Sequence, residues 1–300
     1  MNMIHGRGHR PLAGIALALT ALSLFSIQDA IVKHLVKDYA LFQILFMRSV
    51  TIIIPLFLIL YLNHGKKGFA TSRKLDHAMR VTFNFSAFLA YYFAVSRLPL
   101  ANAAAIAMST PLFLTALSGP LLGEPASFSR KILIVIGFIG VLIVIQPELG
   151  ETDFLGAGSA VFGALMFAML GIQTRKMSAT EDTSLMVFFG AFGFLTATGI
   201  AMFWFWKTPV SYDWVILFGI GVIAGFAQYG LAHAYRYATT YTIAPFEYVT
   251  ILWALSLGWI WFREMPNNLM LFGCLLIVIC GITSAWIEKR DYQRSKTSAL

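Results

Sequence analysis

Leu121-Leu122-Gly123-Glu124-Pro125 and Trp261-Phe262-Arg263-Glu264-Met265-Pro266 are two versions of one turn, a lone acid beside a proline at the end of a long apolar run. What surrounds them also repeats. Tyr92 to Pro147 and Ala232 to Trp286 each open on a small, alanine-rich entry (Ala101 to Ala107; Ala238 to Ala244). Each then climbs to the acid and turns back through an apolar stretch with spaced glycines, Gly137 and Gly140 in one, Gly273 and Gly281 in the other. Placing Glu124 on Glu264 sets an offset of 140 residues, and at 142 the segment Gly14 to Lys33 falls on Gly156 to Arg175, each span closed by a cation. The chain therefore reads as duplicated, with a first half over 1–148 and a second over 149–300.

The 300 residues are 58% hydrophobic and only 12% charged, with a mean hydropathy of +0.75. A soluble domain carries about a quarter charged residues, so the composition describes an integral membrane protein. A bilayer core ~30 Å thick takes roughly 20 apolar residues as helix, because every backbone polar group must be satisfied within the span. Ten such spans are expected, near 12–32, 41–62, 77–96, 100–121, 131–145, 154–174, 185–206, 214–233, 241–261 and 268–287. Only Arg97 and Pro99 separate the third from the fourth.

With ten spans, fifteen of the 22 lysines and arginines fall in loops on the face that holds both termini, and five on the other face. The positive-inside rule then makes both termini cytoplasmic and the location an inner, plasma-type membrane. The net charge of +8 is accounted for by these loops, with no nucleic-acid partner. The first span has a basic start, but its apolar run is too long for a signal core and no small-residue cleavage site follows, so it is expected to be retained. Cys274 and Cys280 stand six residues apart on one helix, ~9 Å of rise, beyond disulfide reach.

Polar groups at membrane depth are costly and become functional candidates. Arg48, about seven residues into the second span, is open to two readings: a clamp for an anionic or carbonyl group of a solute, or a structural cation tying helix ends. Glu247 follows Pro245 in the ninth span, beside Tyr248, and reads either as a titrating acid that couples protons to transport or as a partner for Arg48 or Arg236. Asp29 and Lys33 have the i to i+4 spacing of an ion pair, which leaves Gln28 as a cavity residue. Asn84, Tyr91, Tyr92 and Asn102, with Gln228 in the eighth span, complete the candidate substrate-binding set, although tyrosines near span ends also serve as interface belts. Glu124 and Glu264 are expected to cap the helix after their turns. Gly119-x3-Gly123 and Gly221-x3-Gly225 permit close helix contact, within a monomer or across a homodimer.

Pro111 through Glu124 with Gly137 and Gly140, Arg48 in the second span, and Ala244-Pro245 through Glu264 together resemble the drug/metabolite transporter superfamily, in its EamA-type branch. The resemblance covers essentially the whole chain. It implies an all-α membrane fold in which ten helices, as two inverted five-helix repeats, surround a central cavity, with helix pairs rocking to open one side at a time. The Ala-Pro-aromatic-x-Tyr run and the glutamate-proline turn are most similar to carriers of S-adenosylmethionine or riboflavin. Glu247 departs from the basic residue that the S-adenosylmethionine resemblance leads one to expect there.

The expected function is a secondary transporter of a small organic metabolite, aromatic or heteroaromatic in part, such as riboflavin. S-adenosylmethionine or an amino acid is the alternative, and a proton or another ion the coupling partner. No cofactor, metal or catalytic residue is expected. A membrane-embedded enzyme would need His-Glu-x-x-His or paired carboxylates within spans; neither occurs in the sequence, nor does a P-loop. A structural or receptor-like protein gives no reason for a duplicated five-span unit.

Overall fold

The computed structural model describes residues 11–65, 69–123, 128–146, 153–177, 180–238 and 240–297. All regular structure in them is helical: α1 (Pro11–Leu35), α2 (Leu41–His64), α3 (Lys74–Arg97), α4 (Leu100–Ala107), α5 (Thr110–Leu122), α6 (Phe128–Ile145), α7 (Phe154–Met177), α8 (Thr183–Phe205), α9 (Ser211–Tyr237), α10 (Thr240–Glu247), α11 (Val249–Phe262) and α12 (Asn268–Thr297). Among the described residues eight spans, two of them formed by the broken pairs α4–α5 and α10–α11, are long and apolar enough to cross a membrane, and α6 contributes a shorter apolar run, Lys131–Ile145. In α3 the spanning character is diluted by Asp76, Arg80 and Asn84, yet the helix lies antiparallel along the whole of α7. Gln173 reaches Asp76 at one end, and Arg97 reaches Asp153 at the other.

The fourth and ninth spans are broken helices. The fourth is interrupted at Met108 and Ser109, just ahead of Pro111, whose missing amide and ring prevent a continuous ladder. The ninth is interrupted at Tyr248, three residues past Pro245. A half-helix junction in each half of the chain thus stands near a proline.

Packing repeats with the sequence. α1 lies along α9 as α7 lies along α3, α2 meets α8, and α6 lies along α12. Glycines set the closest approaches: the Gly140 carbonyl sits where a Cβ at Gly273 would have to go. Gly221 likewise faces Thr51 and the Arg48 carbonyl of α2, so this glycine serves packing within the chain. Cys274 and Cys280 are buried and unbridged.

One pair of contacts departs from this exchange. At the face away from the termini, here the far face, α4 packs against α11. At the face of the termini their counterparts α5 and α10 take different partners, α5 going to α6 and α7, α10 to α1 and α12.

Candidate functional site

The far face is laced together by side chains from both halves. Lys33 Nζ pairs with Glu264 Oε1 at 2.5 Å and donates to the Leu98 carbonyl at 2.5 Å, while Glu264 Oε2 accepts the Leu100 N–H at 2.7 Å. This corrects two expectations. Asp29 does not pair with Lys33, because the cation one turn on is drawn to a carboxylate and a helix-end carbonyl. Glu264 does not cap the helix after its turn; it caps α4, and Asn267 Oδ1 takes the Met270 N–H at 2.7 Å to cap α12 instead. The corresponding expectation for Glu124 lies outside the described residues.

Further ties bind the α1–α2 connection and the start of α2 to the α8–α9 connection and the start of α9. Tyr39 donates to Asp213 at 2.5 Å, Gln43 exchanges hydrogen bonds with the Lys207 backbone at 2.6 and 2.9 Å, and Lys207 Nζ reaches the Asp38 carbonyl at 2.8 Å. The bond to Asp213 holds the Tyr39 phenol above its ordinary range. Arg97 meets Asp153 at 2.5 Å, and Gln146 and Asn267 bond reciprocally at 2.8 Å. Arg97, Asp153, Gln146, Asn267 and Glu264 lie in the lining of a cavity of about 360 Å³ together with Asn102.

At the face of the termini the described polar ties gather α3, α7 and α8. Arg73 holds Asp76 at 2.7 Å, His77 meets Glu181 at 3.1 Å, and Arg80 donates to Thr174 and to the Met186 carbonyl. Arg73, and then Gln173, keep the Asp76 carboxyl below the usual carboxylate range.

Deep between α1, α2 and α3 lies a polar cluster. Arg48 is 5% exposed and stacks its guanidinium 4.6 Å from the Phe88 ring, a cation–π contact strengthened by burial. Its Nε has no hydrogen-bond acceptor. Tyr91 donates to Asp29 Oδ2 at 2.7 Å, and Gln28 Nε2 donates to the Tyr92 hydroxyl. Gln28 is wholly buried, and its Oε1 also lacks a partner. Phe88 is in turn wedged among Tyr92, Phe167 and Phe194, so an aromatic wall backs the charged groups. A buried donor or acceptor without a partner costs roughly 1–3 kcal/mol, more when charged. The cluster holds one of each, Arg48 Nε and Gln28 Oε1, and buried polar atoms of this kind call for an explanation.

Of the sequence-derived candidates, Gln28, Arg48, Tyr91 and Tyr92 come together here. Asn84 stands one turn from Phe88 on α3 and faces Gly190 of α8. Asn102 belongs to the far-face cavity, its amide 3.4 Å from the Val144 carbonyl. Gln228 is exposed on α9, about 10 Å along the helix from Gly221. Glu247 does not pair with Arg48 among the described contacts, and Tyr235 donates to it at 2.7 Å; the alternative partner, Arg236, lies outside the described side chains. Tyr248 is buried with its hydroxyl against Gly281 of α12. Asp29 was missed as a site residue because its spacing to Lys33 offered a local partner, whereas Tyr91 is brought to it only by the packing of α1 on α3.

The far face is thus tied across the two halves, while the half-helices α5 and α10 take separate partners. The S-adenosylmethionine uptake transporter of Rickettsia prowazekii is 25% identical over 287 residues, covering 93% of this chain and 95% of that protein. The Pseudopaline exporter CntI of Pseudomonas aeruginosa is 26% identical over 281 residues, covering 92% and 97%. A solved crystal structure superposes with a TM-score of 0.64 over 93% of this chain and 98% of that one at 16% identity, a likeness of fold. The EamA-like transporter family matches residues 12–146 and again 154–284, and the chain belongs to that family.

Proposed function

We propose that this chain is a secondary carrier that moves a small organic metabolite by alternating access, with 1–148 and 149–300 as two inverted repeats and both termini on the cytoplasmic side of an inner membrane. The observation that carries the reading is Arg48: a guanidinium 5% exposed in the middle of the fold, backed by Phe88, with Nε unanswered. An anionic or carbonyl group of the solute takes that donor, Gln28 Oε1 accepts a hydrogen bond from an N–H or O–H of the solute, and Phe88, Tyr91 and Tyr92 offer faces to an apolar or aromatic part. The relatives are named for S-adenosylmethionine and pseudopaline rather than riboflavin, which puts S-adenosylmethionine, an amino acid with a heteroaromatic ring, first among solutes to test.

The test is accumulation of labelled S-adenosylmethionine, riboflavin and aromatic amino acids by proteoliposomes, alongside thermal stabilisation of the purified protein. A solute at 100 times its Kd adds about 2.7 kcal/mol of stability. Arg48→Ala is expected to remove both stabilisation and transport while the protein stays folded. Transport unchanged in that variant would take Arg48 out of the site.

A further inference from the structure

We propose that Asp29 is the proton-binding group of the transport cycle and that it takes up a proton when an anionic group occupies Arg48. The inference rests on the reading of Arg48 given above. It assigns the coupling role to Asp29 in place of Glu247, the acid that sequence order had suggested.

The geometry puts a carboxylate and a guanidinium that are not paired with each other in one buried cluster: Tyr91 holds Asp29, and Tyr92 beside it stacks on the Phe88 ring that carries Arg48. Asp29 is half-buried at span depth and takes part in none of the ion pairs among the described residues. Its recorded partners are phenols, Tyr91 at 2.7 Å with Tyr92 alongside, and the charge within reach is that of Arg48. A phenol stabilises a carboxylate less than a cation does, and an uncompensated carboxylate at this depth is resolved by protonation. While Arg48 has no other anion beside it, its charge supports an ionised Asp29. Once a solute anion takes the guanidinium, two negative groups face one positive one, and like charge at close range favours the protonated carboxyl on one of them. The proton forms an O–H bond on Asp29, comes from the aqueous side to which the site is then open, and leaves when the solute leaves.

The surroundings supply no rival acid or base. α4 and α11 contain no titratable residue. The register of Ala21 against Gly230 and Gly14 against Ala238 sets Asp29 level with Val222 of α9, and Leu217 to Gly225 there contain none. On α10, Glu247 is engaged by Tyr235. On α1 itself, Lys33 is engaged by Glu264.

The experiment measures proton uptake with an indicator dye as S-adenosylmethionine, and separately benzoate, is added to the purified full-length protein in weak buffer, for wild type, Asp29→Asn, Glu247→Gln and Arg48→Gln. Asparagine keeps the acceptor for Tyr91, so the variant retains its packing. With benzoate, whose carboxylate brings no positive charge of its own, wild type and Glu247→Gln are expected to take up one proton per bound anion, with apparent affinity falling about tenfold per pH unit on the alkaline side. S-adenosylmethionine, which brings an ammonium and a sulfonium with its carboxylate, reports binding at Arg48. Asp29→Asn is expected to bind with no proton uptake and a flat pH profile, and Arg48→Gln to bind neither probe. Benzoate binding by wild type without proton uptake, or uptake persisting in Asp29→Asn, overturns this inference and leaves the carrier reading standing. Failure of both carboxylates to bind wild type overturns the Arg48 reading and this inference together.

Discussion

The fourth and ninth spans are the same element twice, yet their two ends behave differently. At the far face α4 and α11 are in contact and the Lys33–Glu264–Leu100 junction crosses between the halves; at the face of the termini α5 and α10 go to separate neighbours. Two copies of one broken helix, inverted relative to each other, should make equivalent contacts at both ends if the fold were rigid. On the proposed carrier reading the inequality is one of conformation, and exchange of the two packings would part α4 from α11 and bring α5 and α10 together, the alternation expected of inverted repeats.

The strongest way to break the comparison is to forbid the exchange. A Cβ built on Gly258 lies 3.9 Å from the Leu100 Cβ, within the range that disulfides span. Leu100→Cys with Gly258→Cys, in a background with Cys274 and Cys280 replaced by serine, should lose all transport on oxidation and regain it on reduction. Persistent transport by fully oxidised protein would mean that α4 and α11 need not part.

Removing Arg48 should have the next largest effect. A lost charged hydrogen bond is worth about 1.5–3 kcal/mol, so Arg48→Ala should weaken solute affinity by at least tenfold in binding titrations, with far-face closure unaltered. Glu264→Gln acts on the closure instead. It leaves Lys33 without its carboxylate in a half-buried junction, on the order of 2 kcal/mol or about 30-fold in the open-to-closed ratio. Labelling of a single cysteine at Ala101, in the lining of the far-face cavity, should accelerate in that variant. An unchanged labelling rate would show that the helix contacts alone hold the face shut.

The smallest effect concerns the rim. Asp153 is held below the ordinary carboxylate range by the Gly156 amide and then by Arg97. A depressed carboxyl contributes stability that is complete above its unfolded value near pH 4 and is lost as pH falls through the folded one. Asp153→Asn should therefore lower the melting temperature slightly at pH 7 and make no difference at about pH 2, where the two melting curves converge.

How much of this was legible in the sequence follows from the range of each interaction. Most spans come from long apolar runs, which hydropathy reads without knowing any partner, whereas α3 is diluted by polar residues and held by its packing along α7. The breaks near Pro111 and Pro245 were not legible, since Pro55 and Pro120 lie within unbroken helices. Arg48, Gln28, Tyr91 and Tyr92 were legible as polar groups at depth. Their meeting was not, since three helices supply them. Asp29 and Glu264 were assigned to neighbours in sequence, and in both cases a tertiary partner competes better than the local one: Tyr91 for Asp29, Lys33 and the Leu100 amide for Glu264. Gln228 and Asn102 had the same chemical credentials as Gln28 and are separated from Arg48 only by where α9 and α4 place them.

The most direct test of the central claim is a pair of spin-label distances in lipid nanodiscs, one across the far face between labels on α4 and α11, one across the other face between labels on α5 and α10. On cycling through solute and pH, the account predicts that the two distances change in opposite senses, the first lengthening as the second shortens. Both distances staying fixed, or both moving in the same sense, would contradict it.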